Sequence, residues 1–502
     1  MSDSKRSGQQ NPLTILTGAR NEELPQVLCS FLALLFLLIS YYLIKPLRNS
    51  QFLKEFPADY LPLIYLFIPL LSLGVTKVFN YFYDRMDKYT LIIRVFLLMM
   101  ACKVAFTWYL PLGGKLATVV FYFWGSVYFL LALSTLWACF NDMFVPSQSE
   151  RFYGFVAAGA TAGNIIGAKL SDALVSSPWR PYATLVSAAA MGIALVLLLK
   201  AAAYRNSDWV DVAVPVEAAE NTKEKPKVDF WSDIRALWNL PYVRSIGIMV
   251  ACLACFTTSL DFLSQKKIDL RMSEIQYQQS FGDLNQRFGN EGFRFIYGLK
   301  SLPNDKVPGA VDEFAQQHQL NGEALYHQYE VYKEDLEAKN REFFSRVFLN
   351  QGLLGVFMLT VVARFVFRYL GLRVAVLILP TFALISTVAF AFPLELLSVE
   401  LILVVSGSLN YALNNATKEI LYTATSEETK FKHKPLIDGP GMRLGDVSAS
   451  IVKLLVVKAA LLAGLGPENG DRVFLCFTFA IAVLWLRSIA YAGRVYDERR
   501  TL

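Results

Sequence analysis

Between Asn414 and Asp446 the chain reads NNATKEILYTATSEETKFKHKPLIDGPGMRLGD, a dense run of charge between two largely apolar segments, Leu396–Leu413 and Val447–Leu465. Lys418 and Glu419 follow the first apolar segment with no turn signal, so both are expected on the same helix. Charge carried into a bilayer on a helix is costly unless it faces protein or a wet cavity, which makes such residues functional candidates. Lys45 and Arg48, just after the first apolar run, share one helical face if the helix continues through Pro46. Lys103 sits in the middle of an apolar span and Arg443 near the end of the charged stretch. Lys45, Arg48, Lys103, Lys418 and Arg443 are the candidate cations for a polar, anionic solute. Tyr41, Trp124, Tyr128 and Tyr422 are candidate aromatic contacts for it. Asp142, Asp261, Glu419 and Asp446 are candidate counter-charges or coupling groups.

Each candidate has a plainer alternative. Lys45 and Arg48 can snorkel to a headgroup region from a helix end. Lys103 can be half of a structural ion pair, and Arg443 can simply pair with Asp446 three residues on. The aromatics can be packing or an interfacial belt. Cys252-x-x-Cys255 only shares a helix face, and small packing residues are the expectation there. The three histidines are isolated, so no zinc site is readable. There is no G-x-x-x-x-G-K-[ST] loop and no hydrolase signature. An enzyme, a metal site, a cofactor and a nucleic-acid partner are therefore not expected.

The elements that position these residues are membrane helices. With 54% hydrophobic and 18% charged residues over 502, and a mean hydropathy of +0.38, the chain is too apolar for a soluble protein of this length. Runs long enough to cross roughly 30 Å of hydrocarbon recur along it. They predict about twelve transmembrane helices, near Leu24–Ile44, Leu61–Phe79, Leu91–Tyr109, Ala117–Phe140, Phe155–Leu174, Tyr182–Ala202, Ile246–Phe262, Val347–Phe367, Val374–Ala391, Leu396–Leu413, Val447–Leu465 and Val473–Ala490. The weakest are Phe155–Leu174, rich in small residues, and Val447–Leu465. The expected fold is an all-α integral membrane protein in two six-helix halves, residues 1–203 and 244–265 with 343–502, joined by a polar linker over 204–243 that contains NTKEKPKVD.

The distribution of Lys and Arg places both termini and the linker in the cytoplasm and the polar insertion 266–342 outside. That insertion has no spanning run; its aromatics and the charged stretch Gly322–Phe344 predict a small helical fold. It is expected to be accessory, with room for an extracytoplasmic partner. The halves echo each other: NDMFVPSQSERF (Asn141–Phe152) parallels KEILYTATSEETKF (Lys418–Phe431), each after the fourth span of its half. Parallel six-helix repeats are a known transporter plan, with the solute bound where the repeats meet and access alternating by rocking.

Several motifs then look familiar. SYYLIKPLRNS (Ser40–Ser50), FWGSV (Phe123–Val127), SERFYGFVAAGATAGN (Ser149–Asn164), TTSLDF (Thr257–Phe262), EFFSRVFLNQGLLG (Glu342–Gly355), ATKEILYTATSEETKFKHKPLID and RLGD occur in an order that resembles the ATP/ADP translocases of plastids and intracellular bacteria. The resemblance covers nearly the whole chain apart from the insertion. It implies a major-facilitator-like fold and antiport of ATP for ADP, or of related nucleotides, across a bacterial inner membrane. The family's basic pair falls on Lys45 and Arg48, its Lys-Glu on Lys418 and Glu419, and its later lysine on Lys434. The chain departs from the pattern at Tyr122, where an acidic residue is typical, at Arg48, where Lys is usual, and in its insertion. A proton-coupled carrier of another organic anion, with Glu419 or Asp142 titrating, and a scaffold or receptor working through 266–342 are the competing classes.

Overall fold

The structure is a computed structural model that describes residues 14, 17, 19–83, 85–144, 146–204, 239–425, 429, 434 and 437–501. Residues 205–238 of the expected linker lie outside the described residues, as do Lys5, Arg6, Lys430 and Lys432. Every regular element among the described residues is helical. Eight helical stretches are long and apolar enough to cross a membrane. Two of them, Lys88–Phe140 and Gly322–Ala389, are far longer than one crossing needs and are interrupted at Gly114 (φ 51°) and Gly371 (φ 74°). Left-handed φ of this kind is readily adopted only by glycine, so each break separates two spans. Two further helices, Pro146–Val175 and Met442–Leu462, correspond to the two weakest expected spans. The fold is thus an all-helical membrane protein with twelve spans in two six-helix halves.

The chain forms two compact units. Unit 1 comprises Met1–Asn49, Gly74–Thr222 and Arg341–Leu349. It contains most of α1 (Leu24–Glu55), the end of α2 (Leu61–Tyr83), α3 (Lys88–Met143), α4 (Pro146–Val175) and α5 (Ala183–Ala203). In a straight helix Phe106 and Trp124 would be about 27 Å apart. Their rings are 5.1 Å apart, and Lys88 meets Asp142 at 2.6 Å, so α3 folds back on itself at Gly114. Along α4, a Cβ at Gly159, Gly163 or Gly167 would collide with the α1 backbone at Phe31, Leu35 or Ile39. This small-residue seam is how a helix of modest apolarity docks in a membrane, where close backbone approach replaces the hydrophobic drive. At the start of α1, buried Glu23 takes a two-pronged contact from Arg151 at 2.9 and 3.1 Å. Burial alone would raise its carboxyl, but Arg151, the Arg20 N–H and the Gln148 amide together hold it below the usual value.

Unit 2 comprises Ser50–Leu73, Lys223–Asn340 and Asn350–Leu502. Its helices are α6 (Pro241–Ser280), α7 (Gly282–Gly298), α8 (Val307–Gln317), α9 (Gly322–Phe357) apart from Arg341–Leu349, α10 (Gly371–Ala389), α11 (Leu396–Leu409), α12 (Asn415–Thr423), α13 (Met442–Leu462) and α14 (Pro467–Thr501). A π turn at Asn410–Asn414 joins α11 to α12, so Lys418 and Glu419 do continue the tenth span. A Cβ at Gly445 on α13 would strike the Ala251 carbonyl of α6, beside buried Cys255, repeating the seam of unit 1. Both helices run on past the membrane-length segment: α6 passes unbroken through Lys266, and α9 begins at Gly322, inside the insertion. Phe281, Ile296, Val311, Phe314, Tyr332 and Leu336 build a core there. From 266 to 342 only Ile275 and Val331 are exposed large apolar residues, whereas spans expose side chains such as Leu112 (86%) and Leu462 (80%). The first is the surface of a water-soluble fold; the second belongs in hydrocarbon.

Candidate functional site

Within unit 1, Pro46 does not interrupt α1, so Lys45 and Arg48 sit three residues apart on one continuous helix. Lys45 Nζ stands 4.0 Å from the centre of the Phe348 ring and 5.4 and 5.8 Å from Tyr42 and Tyr41. Tyr41 itself stacks on Phe129 at 3.6 Å. Arg48 lies across α3 instead of reaching for a headgroup. Gly125 leaves room for its stem, since a Cβ there would be 3.2 Å from Arg48 Cδ. Its guanidinium sits 4.5 Å over the Tyr122 ring and donates to Ser126 Oγ at 3.0 Å and to Asn49 Oδ1 at 3.1 and 3.3 Å. The FWGSV stretch therefore acquires a physical reading: Gly125 makes the space and Ser126 accepts from the cation.

Lys103 is fully buried on the first arm of α3. Its ammonium donates to Ser40 Oγ on α1, to Tyr128 Oη on the second arm of α3 (2.9 Å) and to Ser187 Oγ on α5 (2.8 Å). Three donors meet three hydroxyls, and among the described residues no carboxylate pairs with it. Tyr128 is buried, with Trp124 stacked on it at 4.9 Å and an interplanar angle of 5°. Asp142 is not near this network's cation; it pairs with Lys88.

In unit 2 the charged motif folds back on itself. Lys418 pairs with Asp438 at 3.1 Å and Glu419 with Lys434 at 2.5 Å, a reciprocal double link between α12 and the KPLID stretch. Lys434 also stands 5.1 Å over the ring of buried Tyr422. Arg443 pairs with Asp446 at 3.2 Å, as their spacing allows, and Asp446 accepts from Thr258 Oγ1 at 2.7 Å. RLGD thereby meets TTSLDF. Asp261 accepts from Tyr65 Oη at 2.5 Å and from Gln265 Nε2 at 2.8 Å. The candidate cations of unit 2, both partly buried, are each held by a carboxylate.

Sequence reasoning missed a second set of charges in unit 2. Lys266 bridges Asp59 (2.8 Å) and Asp471 (2.7 Å), and Asp471 also pairs with Lys453. Lys453 lies within an apolar span just as Lys103 does, so the same argument applied there would have found it. The fully buried pair Lys300–Asp269 at 2.8 Å was hidden for a different reason: both residues lie in a segment that reads as solvated.

No known family profile matches the chain, and no curated protein is similar to it by sequence. Its fold is similar to those of solved transporters. The POT-family transporter PepTSo matches with a TM-score of 0.53 at 12% identity, covering 94% of this chain and 97% of that one. An inward-facing bacterial homologue of the iron transporter ferroportin matches at 0.52 and 10%, covering 95% and 98%. The nucleoside transporter NupG matches at 0.50 and 13%, covering 93% and 100%. Together with the twelve spans, these likenesses show a major-facilitator-like fold.

Proposed function

We propose that this protein is a nucleotide transporter that exchanges ATP for ADP, or related nucleotides, by alternating access. The observation that carries the reading is the seat of Arg48. A motif shared with the ATP/ADP translocase pattern, FWGSV, supplies the space and the hydroxyl that hold a guanidinium on a spanning helix. The two point departures from that pattern, Arg48 and Tyr122, meet in one contact, the cation over the ring. An aromatic face in place of an acid still holds the cation, by roughly 0.5–2 kcal/mol, without itself bringing a negative charge.

The proposed phosphate donors are Lys45, Arg48 and Lys103 in unit 1 and Lys418 and Arg443 in unit 2. Of these, Lys418 and Arg443 must trade Asp438 and Asp446 for phosphate oxygens when substrate binds. Tyr41, Trp124, Tyr128 and Tyr422 are the proposed aromatic partners of the base, with Trp124–Tyr128 already stacked. Exchange, as opposed to net flow, follows if the empty, electropositive carrier reorients slowly and a bound anion neutralises it. Uptake of labelled ATP into vesicles of purified protein tests this. ATP entry that depends on nucleotide loaded inside is the expected result. Flux driven by a pH gradient alone would indicate a proton-coupled anion carrier, and absence of flux a receptor or scaffold.

The proposed setting is a bacterial inner membrane with both termini and residues 204–243 on the cytoplasmic side and 266–342 outside. The excess of Lys and Arg in the loops assigned inside supports it. A cysteine at exposed Asn304 should be labelled from outside intact cells and one at Asn221 only after permeabilisation. Labelling of both from one side would overturn this sidedness.

A further inference from the structure

The insertion has a use that its sequence does not suggest. Resting on the transporter reading above, we propose that residues 266–342 form a latch that fastens residues 50–59 to unit 2 and opens during transport. By sequence, residues 50–73 belong to the first six-helix half, yet they cluster with unit 2. Their first part, residues 50–59, is held by the insertion, whereas Tyr65 further on is held by Asp261 of α6. Lys300 and Asp269 are both fully buried and paired at 2.8 Å. Each commits a further bond to the backbone of the segment: Lys300 Nζ donates to the Leu53 carbonyl at 2.8 Å, and Asp269 accepts from the Ala58 N–H at 3.0 Å. A buried ion pair is retained only where its remaining hydrogen-bonding capacity is met, and here the backbone of the segment meets part of it.

Around this centre runs a ring of side-chain contacts. Lys333 pairs with Glu55 at 3.2 Å, Lys54 with Glu334, and Lys266 with Asp59 at 2.8 Å, while Ser50 Oγ donates to Glu337 at 2.7 Å. Tyr297 Oη donates to Asp269 at 2.7 Å. Burial and the neighbouring carboxylate push that phenol far above its ordinary value, so it stays a donor across the physiological range. The insertion is carried on α6 and α9, helices that are continuous with the seventh and eighth spans. Movement of those spans is therefore transmitted to the latch without an intervening hinge. The join falls inside α1, between Asn49 and Ser50. If the halves rock, either these bonds open or α1 must bend there.

The closing experiment reads the latch in two ways on the full-length protein. Hydrogen–deuterium exchange needs no substrate. In a Lys333→Ala, Glu334→Ala double variant, in which one of the two positions is exposed, residues 50–60 and 269–300 should gain exchange together, by threefold or more. Separately, with the six native cysteines replaced, Lys54→Cys with Glu334→Cys should be bridged by a short bis-methanethiosulfonate reagent, because side chains that meet at their tips set the backbones farther apart than a disulfide spans. Labelled-nucleotide exchange should then fall at least tenfold and recover on reduction. Independent exchange of the two segments, or undiminished transport in the cross-linked protein, would overturn the latch. Coupled exchange in a protein that moves no nucleotide before cross-linking would leave the latch standing and refute the nucleotide reading instead.

Discussion

At the scale of the residue, the two units hold their candidate cations differently. Lys103 is satisfied by three hydroxyls, whereas Lys418 and Arg443 are each tied to a carboxylate. A hydroxyl cage leaves the positive charge uncancelled; a carboxylate cancels it until a competing anion arrives. On the proposed reading the acids of unit 2 hold the places that phosphate oxygens would take, so removing a cation and removing its acid should have opposite effects. Lys418→Ala removes a charge-assisted donor worth about 1.5–3 kcal/mol, roughly a tenfold to hundredfold loss of nucleotide affinity. Asp438→Asn removes the competitor, so affinity should rise severalfold while the protein stays inserted and monodisperse. Titration of both variants with one nucleotide checks the pair, and a loss of affinity in Asp438→Asn would show the acid to be a ligand-positioning group instead.

Elements show where sequence was informative and where it was not. Apolar length located the spans, and the two weakest, Phe155–Leu174 and Val447–Leu465, are the two outside the apolar set. They are held by glycine seams against α1 and α6, a mechanism that composition registers only as low hydropathy. The seam predicts a sharp contrast within one helix. Gly163→Ala places a methyl against the Leu35 carbonyl and should cost about 1–3 kcal/mol of stability. Gly154→Ala, with nothing within 4 Å, should be neutral or stabilise by about 0.4–1 kcal/mol. Thermal unfolding of the purified protein separates them; equal behaviour would remove the seam from the account.

The charged run Asn414–Asp446 was legible as a site candidate because charge stands out against apolar flanks. Its internal pairing was not, because Lys418 and Asp438, or Glu419 and Lys434, are separated by a turn whose path sequence does not specify. Arg443–Asp446 could be anticipated, being one helical turn apart. The hydroxyl cage of Lys103 draws on three helices, and serines scattered through apolar runs give no signal of their own. The insertion concealed most. Its polarity says that it lies outside hydrocarbon, but a buried ion pair that reaches back to Leu53 and Ala58 has no sequence signature.

For the whole molecule, twelve spans in two halves, with a helical insertion grown from the seventh and eighth, describe a major-facilitator-like fold with an added part. Fold alone leaves the substrate open, because the similar structures include by name both a nucleoside transporter and a homologue of an iron transporter. The choice among substrates rests on the cations within the spans. A carrier that recognises phosphate must bind more tightly as phosphates are added, and it must lose that gradient when its donors are removed. Equilibrium binding of adenosine, AMP, ADP and ATP to the purified protein and to Arg48→Gln measures this most directly. The account predicts weak binding of adenosine, a rise of tenfold or more from AMP to the di- and triphosphate, and a flattened series in the variant. Adenosine binding as tightly as ATP, with Arg48→Gln indistinguishable from the native chain, would contradict it.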